Sequence, residues 1–393
     1  MNSKKSFVIT IALTAFIVCL VTNVVRDVSY VTGDGKALQK ITAVKKMLSD
    51  YSLFEVDEDK MADYAAMAMA AAVDDPYTNY YPPEDFTSYK SNVTSTYVGI
   101  GATLGADEEK NRLVVVAPME DSPAEKAGMR SGDAIVTIDG RYYGADELSD
   151  AATYLKNGDE GTSVEFTLER EGTGNVDITV TREKVEKISV KTKMLADNIG
   201  YVRITGFESS GDPGSQSTYD EFKENVDALM SAGMEKMIID VRDNPGGDLN
   251  VVCKIADMIL PKGIITYTED KNGKRSTVYS DRKEIDMPMA ILVNGGSASA
   301  SEVLTGALKD YGKATVIGTK TYGKGIVQTV YPFTDGSGIS ITTAKYYTPN
   351  GICIHQIGIE PDITVEMDTD KAISELTAEE DVQLQKAIET VSR

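Results

Sequence analysis

The second half of the chain alternates apolar runs with segments of helical period, and this alternation constrains the fold more than any other feature. Continuous apolar runs of roughly four to eight residues are typical of buried strands, whereas apolar residues at 3–4 spacing indicate helices. The alternating segments are a helix from Phe222 to Met230, a strand from Met237 to Val241, a helix from Val252 to Leu260, a strand from Met289 to Val293, a helix from Val303 to Leu308 and a strand from Ala314 to Ile317. Such alternation predicts an α/β core with a parallel sheet.

An uncharged segment near the start predicts a membrane anchor. Residues 7–25 contain no charged side chain, and a helix of that length spans roughly 28 Å, close to the ~30 Å hydrocarbon core of a bilayer. Lys4 and Lys5 precede the segment, so the positive-inside rule predicts a cytoplasmic Met1 and an extracytoplasmic chain beyond Val25. Because no small-residue cleavage site follows, we predict a retained single-pass anchor in the cell membrane and not a cleaved signal peptide.

The region between the anchor and the α/β core divides into a helical part and a β-rich part. The pattern is helical from Lys36 to about Ala72, and short β-type runs with turn signals follow. A short amphipathic helix is predicted within the β-rich part, between Ala145 and Lys156. The predicted organisation is 1–6 as a cytoplasmic stub, 7–25 as a transmembrane anchor, 26–92 as an N-terminal helical segment, 93–184 as a β-rich module, 185–376 as the α/β core and 377–393 as a C-terminal helical tail.

The composition argues against several classes of function. A formal net charge of -21, from 61 acidic and 40 basic residues, repels phosphate backbones, so nucleic-acid binding is not expected. One histidine and three cysteines give no zinc-ligand spacing, so neither a metal nor another cofactor is implied. Outside the anchor, Cys253 and Cys353 allow at most one disulfide.

The candidate nucleophile lies in a serine-rich turn. A predicted strand runs into Asn294-Gly-Gly, and Ser297, Ser299 and Ser301 then open a predicted helix. Backbone N–H groups at a helix N-terminus point outward and stabilise negative charge, as an oxyanion requires. The alternative is that one of these serines only caps the helix, although three serines at i, i+2 and i+4 exceed what one cap needs.

A lysine between two glycines is the candidate base. A Ser-His-Asp triad would have to use His355, the single histidine, whereas a Ser-Lys pair needs no imidazole. For Lys324 to act as a base near neutral pH, its pKa must fall from about 10.4 to roughly 7–8, which burial can supply. Gln328 is spaced to accept a hydrogen bond from the neutral amine and orient it. The alternative for Lys324 is an ordinary surface lysine in a turn.

Taken in order, these and other segments resemble a known protease family. The matching segments are Asp75-Pro-Tyr-Thr78, Gly99-Ile-Gly-Ala102, Ser122 to Gly128, Ser131-Gly-Asp133, Ile138-Asp-Gly140, Gly161-Thr162, Asp240 to Gly247, Asn294 to Glu302, Thr321 to Gln328, Thr342 to Pro349 and Gly358 to Asp362. The chain resembles the carboxy-terminal processing peptidases, the tail-specific serine proteases of family S41, over essentially everything after the anchor. The resemblance implies a crotonase/ClpP-like α/β protease core with an inserted PDZ domain, beside the N-terminal helical segment and one transmembrane helix.

The resemblance also implies roles for particular residues. The implied catalytic residues are Ser299 as nucleophile, Lys324 as base and Gln328 as the residue that orients the lysine. Backbone oxyanion donors are implied at Ala300 and in the Asn-Pro-Gly-Gly turn, at Gly246 or Gly247. The choice between the two glycines stays open, and a plain turn after a buried strand is the alternative.

The β-rich module resembles a PDZ domain. The successive N–H groups of Ile100, Gly101 and Ala102 are candidates for a nest that binds a terminal carboxylate, while the peptide adds to the following strand. The residues predicted to line a pocket for apolar side chains are Leu148, Ala152 and Leu155, with module core as their alternative role. Some relatives carry an arginine in the turn before Gly161, where this chain has Asn157.

The predicted function is that of a serine endopeptidase that recognises the C-terminal end of protein substrates and cleaves them outside the cytoplasm with a Ser-Lys dyad. The alternative is a catalytically silent, PDZ-type peptide-binding adaptor. The predicted partners are proteins or peptides with exposed C-termini and, through one helix, the membrane. By resemblance, a homodimer is a further candidate, with residues 26–92 and 377–393 as its contact elements.

Overall fold

The structure, a computed structural model, describes residues 35–119, 121–156, 158–211, 214–281, 283–367, 373 and 376–393. The predicted stub and transmembrane anchor, residues 1–25, lie outside the described residues, and so does Asn157. In the part that is described, no helix is both long and apolar enough to cross a bilayer. The chain divides into two compact units, Met1–Ala68 and Met69–Arg393.

The predicted N-terminal helix is interrupted. Helices α1 (Gly35–Tyr51) and α2 (Glu58–Ala71) are separated by a turn. In that turn the Ser52 side chain hydrogen-bonds the main chain of Phe54, and the Asp57 carboxylate accepts from Lys60 N–H at 2.9 Å. Such side-chain bonds to the backbone compete with the helical pattern, which explains the break that the apolar spacing did not indicate.

The remaining elements follow in chain order. They are β1 (Asn79–Tyr81), α3 (Pro83–Val93), β2 (Thr96–Gly99), β3 (Ala102–Asp107), β4 (Arg112–Pro118), α4 (Pro123–Lys126), β5 (Ala134–Ile138), α5 (Leu148–Lys156), β6 (Ser163–Arg170), β7 (Gly174–Thr181), β8 (Glu183–Glu186), β9 (Val190–Met194), β10 (Ile199–Ile204), α6 (Thr218–Ser231), β11 (Lys236–Asp240), α7 (Leu249–Ile259), β12 (Gly263–Asp270), β13 (Arg275–Ser280), β14 (Met289–Val293), α8 (Ala300–Asp310), β15 (Thr315–Gly318), β16 (Ile326–Pro332), β17 (Gly338–Tyr347), β18 (Ile363–Thr364) and α9 (Val382–Val391). Short 3-10 turns cover Ala145–Glu147 and Ala196–Asn198.

The β-rich module is an antiparallel sheet closed by one helix. Its strand order is β3-β4-β5-β6-β7, and β2 pairs antiparallel with β8 beside it. The amphipathic helix α5 buries Ala151 and Leu155 against the sheet, where Leu113, Phe166 and Leu168 form part of the core. The 3-10 turn before α5 accounts for the predicted helix start at Ala145.

The α/β core contains the parallel sheet that the alternating pattern predicts. Its strand order is β18-β15-β14-β11-β10-β9, with parallel pairing except for the antiparallel edge pair of β9 and β10. Both β11 and β14 are buried along nearly their whole length, as expected of central strands covered on both faces. The tail helix α9 packs on one face, with Leu384, Ala387 and Val391 against Ile238 and Leu292.

A second, antiparallel sheet joins distant parts of the chain. Its strand order is β1-β17-β12-β13, and β16 pairs with β17. Strand β1, which precedes the module, pairs with β17, with Asn79 opposite Ser340. The chain therefore contributes to this sheet both before and after the β-rich module.

Candidate active site

Two loops at the carboxyl ends of the neighbouring strands β11 and β14 form the centre of the site. The loop after β11 contains the Asn-Pro-Gly-Gly turn, and the loop after β14 contains the three serines. Ser301 Oγ donates to Asn244 O at 2.9 Å, and Ser297 Oγ donates to Val241 O at 2.7 Å. Ser297 and Ser301 are thus buried, and their hydroxyls hydrogen-bond the two loops to each other. Ser299 remains as the candidate nucleophile.

Ser299 has an unusual backbone conformation at the start of α8. Its φ of 54° and ψ of -114° are rare for a residue with a side chain and are typical of functional turns. The N–H of Ser299 donates to Glu302 Oε2 at 2.9 Å, and its carbonyl accepts from the N–H groups of Glu302 and Val303. The helix is therefore capped by the main chain and by Glu302, without use of the Ser299 hydroxyl.

Gly246 brings the Asn-Pro-Gly-Gly turn against this serine. A Cβ at Gly246 would lie 2.8 Å from Ser299 Cβ and 2.9 Å from Ala300 N, and φ there is 106°. Both the space and the conformation require glycine. A Cβ at Gly247 would instead lie 2.1 Å from Phe207 O. Gly246 therefore faces the serine turn, whereas Gly247 packs on the segment after β10.

The buried carboxylate of Glu302 joins the serine turn to the lysine loop. Its side chain is 0% exposed, and Oε2 accepts from the N–H groups of Ser299 (2.9 Å) and Lys324 (2.8 Å). Oε1 accepts from Gly323 N–H (2.7 Å) and from the Thr321 hydroxyl (2.6 Å). A carboxylate is stable in the interior only with partners of this kind. No catalytic or positioning role was predicted for Glu302, although a glutamate three residues after a helix-opening serine is a capping signal.

A tyrosine hydroxyl makes a second link between the same two segments. Tyr346 Oη lies 2.8 Å from Ser299 O and 2.6 Å from Lys324 O. Burial raises the pKa of Tyr346 well above its usual range, so the hydroxyl keeps its proton and donates to these carbonyls. The sequence motif around Tyr346 matched the family, but no local pattern indicated this contact.

The Lys324 side chain lies in a partly buried environment. Its Nζ is 4.3 Å from the centroid of the Tyr77 ring. Burial lowers the pKa of Lys324, and the negative charge of Asp75 opposes this shift without reversing it. The neutral amine that a general base requires is therefore more accessible here than in a lysine surrounded by water.

Gln328 belongs to a polar chain beside the lysine. Its Nε2 donates to Thr342 Oγ1 at 3.1 Å across the β16–β17 pair. Burial tends to raise the pKa of Asp75, but hydrogen bonds from Thr342 and Thr78 outweigh it and lower that pKa. The amide of Gln328 is thus oriented through Thr342, and its action on Lys324 stays a prediction.

The single histidine lies beside the lysine loop but lacks the arrangement of a triad. A Cβ at Gly325 would lie 2.4 Å from the main-chain nitrogen of His355. His355 Nδ1 is buried and has no hydrogen-bond partner among the described residues. A Ser-His-Asp triad requires an acid at that nitrogen, so the geometry does not favour His355 as the base.

Comparisons with known proteins agree with this architecture. Residues 198–365 match peptidase family S41, and residues 114–170 match the PDZ domain. The carboxy-terminal processing protease CtpA of Bacillus subtilis (strain 168) is 33% identical over 362 residues, which are 92% of this chain and 75% of that protein. The chain belongs to peptidase family S41. A probable CtpA-like serine protease of Staphylococcus aureus (strain COL) is 36% identical over 337 residues, 85% of this chain and 66% of that protein.

A solved structure gives the same result. The photosystem II D1 C-terminal processing protease is 31% identical, with a TM-score of 0.51 over 85% of this chain and 88% of that one. The prediction of an S41 carboxy-terminal processing serine protease with a PDZ domain is therefore confirmed.

The PDZ domain of this S41 protease has a groove between α5 and β3. The groove has a volume of about 560 Å³ and is lined by five of the six predicted peptide-binding residues, Ile100, Ala102, Leu148, Ala152 and Leu155. Of the residues with module core as their alternative role, Leu155 is buried in the core of the domain and Leu148 packs against that core, while both also line the groove. Gly101, with φ of 70°, supplies the left-handed conformation that a nest of N–H groups needs.

Proposed function

We propose that this S41 protease cleaves protein substrates with Ser299 as nucleophile and Lys324 as general base. The observation that supports this pair best is the double connection between the two segments. The Glu302 carboxylate accepts from both main-chain N–H groups, and the Tyr346 hydroxyl contacts both carbonyls. Two segments held in this way by buried polar groups keep a fixed relative position, which general base catalysis needs.

Acylation begins with attack of Ser299 Oγ on the scissile carbonyl carbon. As the bond forms, the hydroxyl proton moves to Lys324 Nζ, and the carbonyl oxygen becomes an oxyanion. The ammonium then gives its proton to the leaving amine as the C–N bond breaks and the carbonyl re-forms. In deacylation, Lys324 takes a proton from water as the water oxygen attacks the acyl carbon. The ester C–O bond to Ser299 then breaks, the acid product leaves, and Lys324 returns the proton to Ser299 Oγ.

The oxyanion donors in this proposal are the N–H groups of Ala300 and Gly247. Within the turn, Gly246 N–H already donates to Asn244 Oδ1 at 2.9 Å. The Gly246 carbonyl accepts from Phe207 N–H, and in the trans peptide the Gly247 N–H points the opposite way. Gly247 is therefore a better placed donor than Gly246, and such a donor contributes roughly 3–4 kcal/mol to acyl transfer.

Substrate capture is assigned to the PDZ domain. The groove is apolar along α5, and the loop that contains Gly101 lies at the start of β3, where a terminal carboxylate binds in peptide addition to a sheet edge. We propose that an exposed C-terminal tail binds there while an upstream bond enters the catalytic site. The named activity of the B. subtilis relative, carboxy-terminal processing, supports this assignment.

The proposed location is outside the cytoplasm. Its support is in the sequence alone, since residues 7–25 are uncharged and Lys4 and Lys5 precede them. Accessibility of the PDZ domain to external protease in intact cells would test this orientation, because a cytoplasmic domain is protected until the membrane is opened.

The test of the catalytic proposal is cleavage of an unfolded protein with an apolar C-terminus. The full-length chain, purified in detergent, is compared with its Ser299→Ala and Lys324→Met variants, and products are identified by mass spectrometry. Fragments are expected only from the unchanged protein. Lys320→Met is the matched control, because Lys320 lies in the same loop and pairs with Glu360 at the surface.

The outcomes separate the alternatives. Fragments from the Ser299→Ala variant would place the nucleophile elsewhere, and fragments from the Lys324→Met variant at an unchanged rate would remove Lys324 as the base. Peptide binding without cleavage by the unchanged protein would favour the adaptor.

A further inference from the structure

The PDZ groove carries opposite charges at its two ends. Lys156, the last residue of α5, lines one end, where its Nζ is 5.7 Å from the centroid of the Tyr97 ring on β2. Asp146, in the 3-10 turn before α5, lines the other end beside the exposed Ser149. The groove between them is lined by apolar side chains. A ligand that fills this groove therefore meets a cation at one end and a carboxylate at the other.

The lysine end coincides with the loop proposed to bind the terminal carboxylate. The carbonyls of Ile100 and Gly101 accept from the N–H groups of Ala124 and Met119, both at 2.8 Å. These bonds turn the loop carbonyls toward α4 and β4. A terminal carboxylate at the loop meets N–H donors together with the positive charge of Lys156, and charge-assisted hydrogen bonds are the stronger kind.

A second lysine lies near the same ring but is engaged elsewhere. Lys187 Nζ is 5.9 Å from the Tyr97 ring centroid, donates to Thr94 O at 2.8 Å and lies 3.8 Å from Glu208 Oε1. Of the two lysines at this ring, Lys156 is the one that lines the groove. It is therefore the side chain to test for carboxylate binding.

The length of the groove fixes which peptide residue meets Asp146. Asp146 precedes Leu155 by nine residues, of which the first two steps lie in the 3-10 turn and the rest in α5. At about 2 Å and about 1.5 Å per residue, respectively, the distance is roughly 14 Å. An extended peptide rises about 3.3 Å per residue, so the same distance takes about four residues. Side chains of a strand alternate between faces, and a residue four positions before the last one shares its face. That residue points toward α5 when the last side chain does.

We propose that the groove selects C-terminal tails with an apolar last residue and a lysine or arginine four residues before it. Asp146 pairs with the basic side chain, and Lys156 contributes to binding of the terminal carboxylate. The formal net charge of -21 attracts basic tails to the protein as a whole. This specificity rests on the proposed capture of C-termini by the PDZ domain.

The experiment measures binding by fluorescence anisotropy with the full-length Ser299→Ala chain in detergent. The probes are labelled nine-residue peptides of glycine and serine that end in valine and carry lysine, glutamine or glutamate four residues before it. For a partly solvated ion pair, the lysine peptide is expected to bind roughly two- to fivefold more tightly than the glutamine peptide, and the glutamate peptide more weakly than both. Asp146→Asn should abolish this order, and Asp146→Lys should reverse it.

Matched variants separate the groove from general electrostatics. Asp150→Asn also removes one negative charge, but Asp150 lies on α5 and does not line the groove. This variant should still bind the lysine peptide more tightly than the glutamine peptide. Amidation of the peptide C-terminus should weaken binding at least tenfold in the unchanged groove, and Lys156→Gln should reduce that difference. Lys110→Gln, in the turn between β3 and β4, should leave it unchanged.

Each contrary result has a distinct meaning. Equal binding of the lysine, glutamine and glutamate peptides would overturn the charge specificity and leave capture of C-termini intact. Equal binding of acid and amide peptides would overturn the capture of free C-termini itself. If no peptide binds, the groove is not the capture site, whereas cleavage by the unchanged protein would still support the Ser299–Lys324 proposal.

Discussion

At the scale of single residues, the proposed chemistry depends on Lys324, whose surroundings affect its pKa in opposite directions. Burial lowers the pKa of Lys324, while Asp75 and the Tyr77 ring favour the charged amine. The net effect is a pKa of Lys324 below that of an ordinary lysine, which is the direction that a general base requires. Since only the neutral amine accepts a proton, activity should rise as the pH rises through the lowered pKa.

The first prediction concerns this pH dependence. We expect kcat/KM for peptide cleavage to increase as the pH rises from about 6, and to level off below the ordinary lysine pKa of about 10.4. Tyr77→Leu removes the ring that stabilises the ammonium, so the profile should move to lower pH. A flat profile over this range would argue against Lys324, and a profile abolished by His355→Gln would point to the histidine.

The second prediction concerns Glu302. Glu302→Gln keeps the shape of the side chain, but its amide nitrogen cannot accept a hydrogen bond. The two donors at one of the former carboxylate oxygens therefore lose their acceptor. We expect kcat to fall by about 100-fold through misplacement of Ser299 and Lys324, with a smaller change in KM. Steady-state kinetics with one peptide substrate measures both constants. Because Glu302 acts by positioning, the peptide affinity of the PDZ groove should not change.

The third prediction concerns Gly246. In Gly246→Ala the new Cβ would lie 2.8 Å from both Ala298 O and Ser299 Cβ, at a φ that side chains rarely adopt. We expect cleavage to be lost, because the serine turn or the glycine turn must move. Gly295→Ala in the neighbouring loop is the control, since a Cβ there meets no atom within 4 Å and the chain should stay active.

At the scale of the elements, the tail helix α9 is joined to the loop that follows β11. Arg242 is fully buried, and its guanidinium donates to Asp240 and Asp381, with Oδ2 of each carboxylate 2.7 Å away. Gln383 Oε1 accepts a further bond at 3.0 Å. Since Arg242 lies two residues before Asn244 of the Asn-Pro-Gly-Gly turn, the C-terminal tail supports the strand end from which this turn begins.

The fourth prediction follows from this network. Arg242→Met leaves the buried carboxylate of Asp381 without its cation and leaves Asp240 with Arg203 alone, at 3.3 Å, which should lower the free energy of unfolding by about 3–5 kcal/mol. Urea denaturation measures the loss. Arg275→Met is the control, because its pair with Glu269 lies at the surface and should contribute no more than about 1 kcal/mol. Equal effects of the two substitutions would contradict the assigned importance of the buried network.

The same network predicts a sensitivity to acid. Burial alone would raise the pKa of Asp240, but the Arg242 guanidinium overrides burial and holds that pKa below its usual value. A carboxyl group whose folded pKa is depressed stabilises the fold above its unfolded pKa of about 3.9 and loses this contribution as the pH falls through the folded value. The unfolding free energy of the unchanged protein should therefore decrease below about pH 4, and less steeply in Arg242→Met.

At the scale of the whole molecule, the sequence predicted those features that depend on local pattern. The apolar run Met289 to Val293 coincides with β14, and the alternation of strands and helices gave the parallel core. It did not indicate the pairing of β1 with β17, because residues more than two hundred positions apart share no local signal. The break after Tyr51 was missed for another reason, since side-chain bonds of Ser52 and Asp57 ended a pattern that was apolar enough to continue.

The residues of the candidate site also fall into two groups, those that the sequence indicated and those that only the fold brings into contact. Residue types and spacing singled out Lys324 and a turn with three serines, because a scarcity of histidine leaves few bases. The family resemblance then selected Ser299 among those serines. Glu302 and Tyr346 were not given roles, since their importance lies in contacts between segments that only the fold brings together. The proposal of Gly247 over Gly246 as oxyanion donor depends on the direction of the Gly246 carbonyl, which no local sequence pattern indicates.

The PDZ domain leaves the core and returns to it through one pair of strands. Thr96 on β2 lies opposite Glu186 on β8, so the two junctions are about one strand spacing apart, roughly 4.8 Å. A domain with its ends this close can be exchanged as a cassette, because a replacement needs only two neighbouring attachment points. Recombination at these junctions would replace the PDZ domain and keep the protease core, so the resulting enzymes would cleave different proteins with the same catalytic residues. The same exchange can be made by protein engineering.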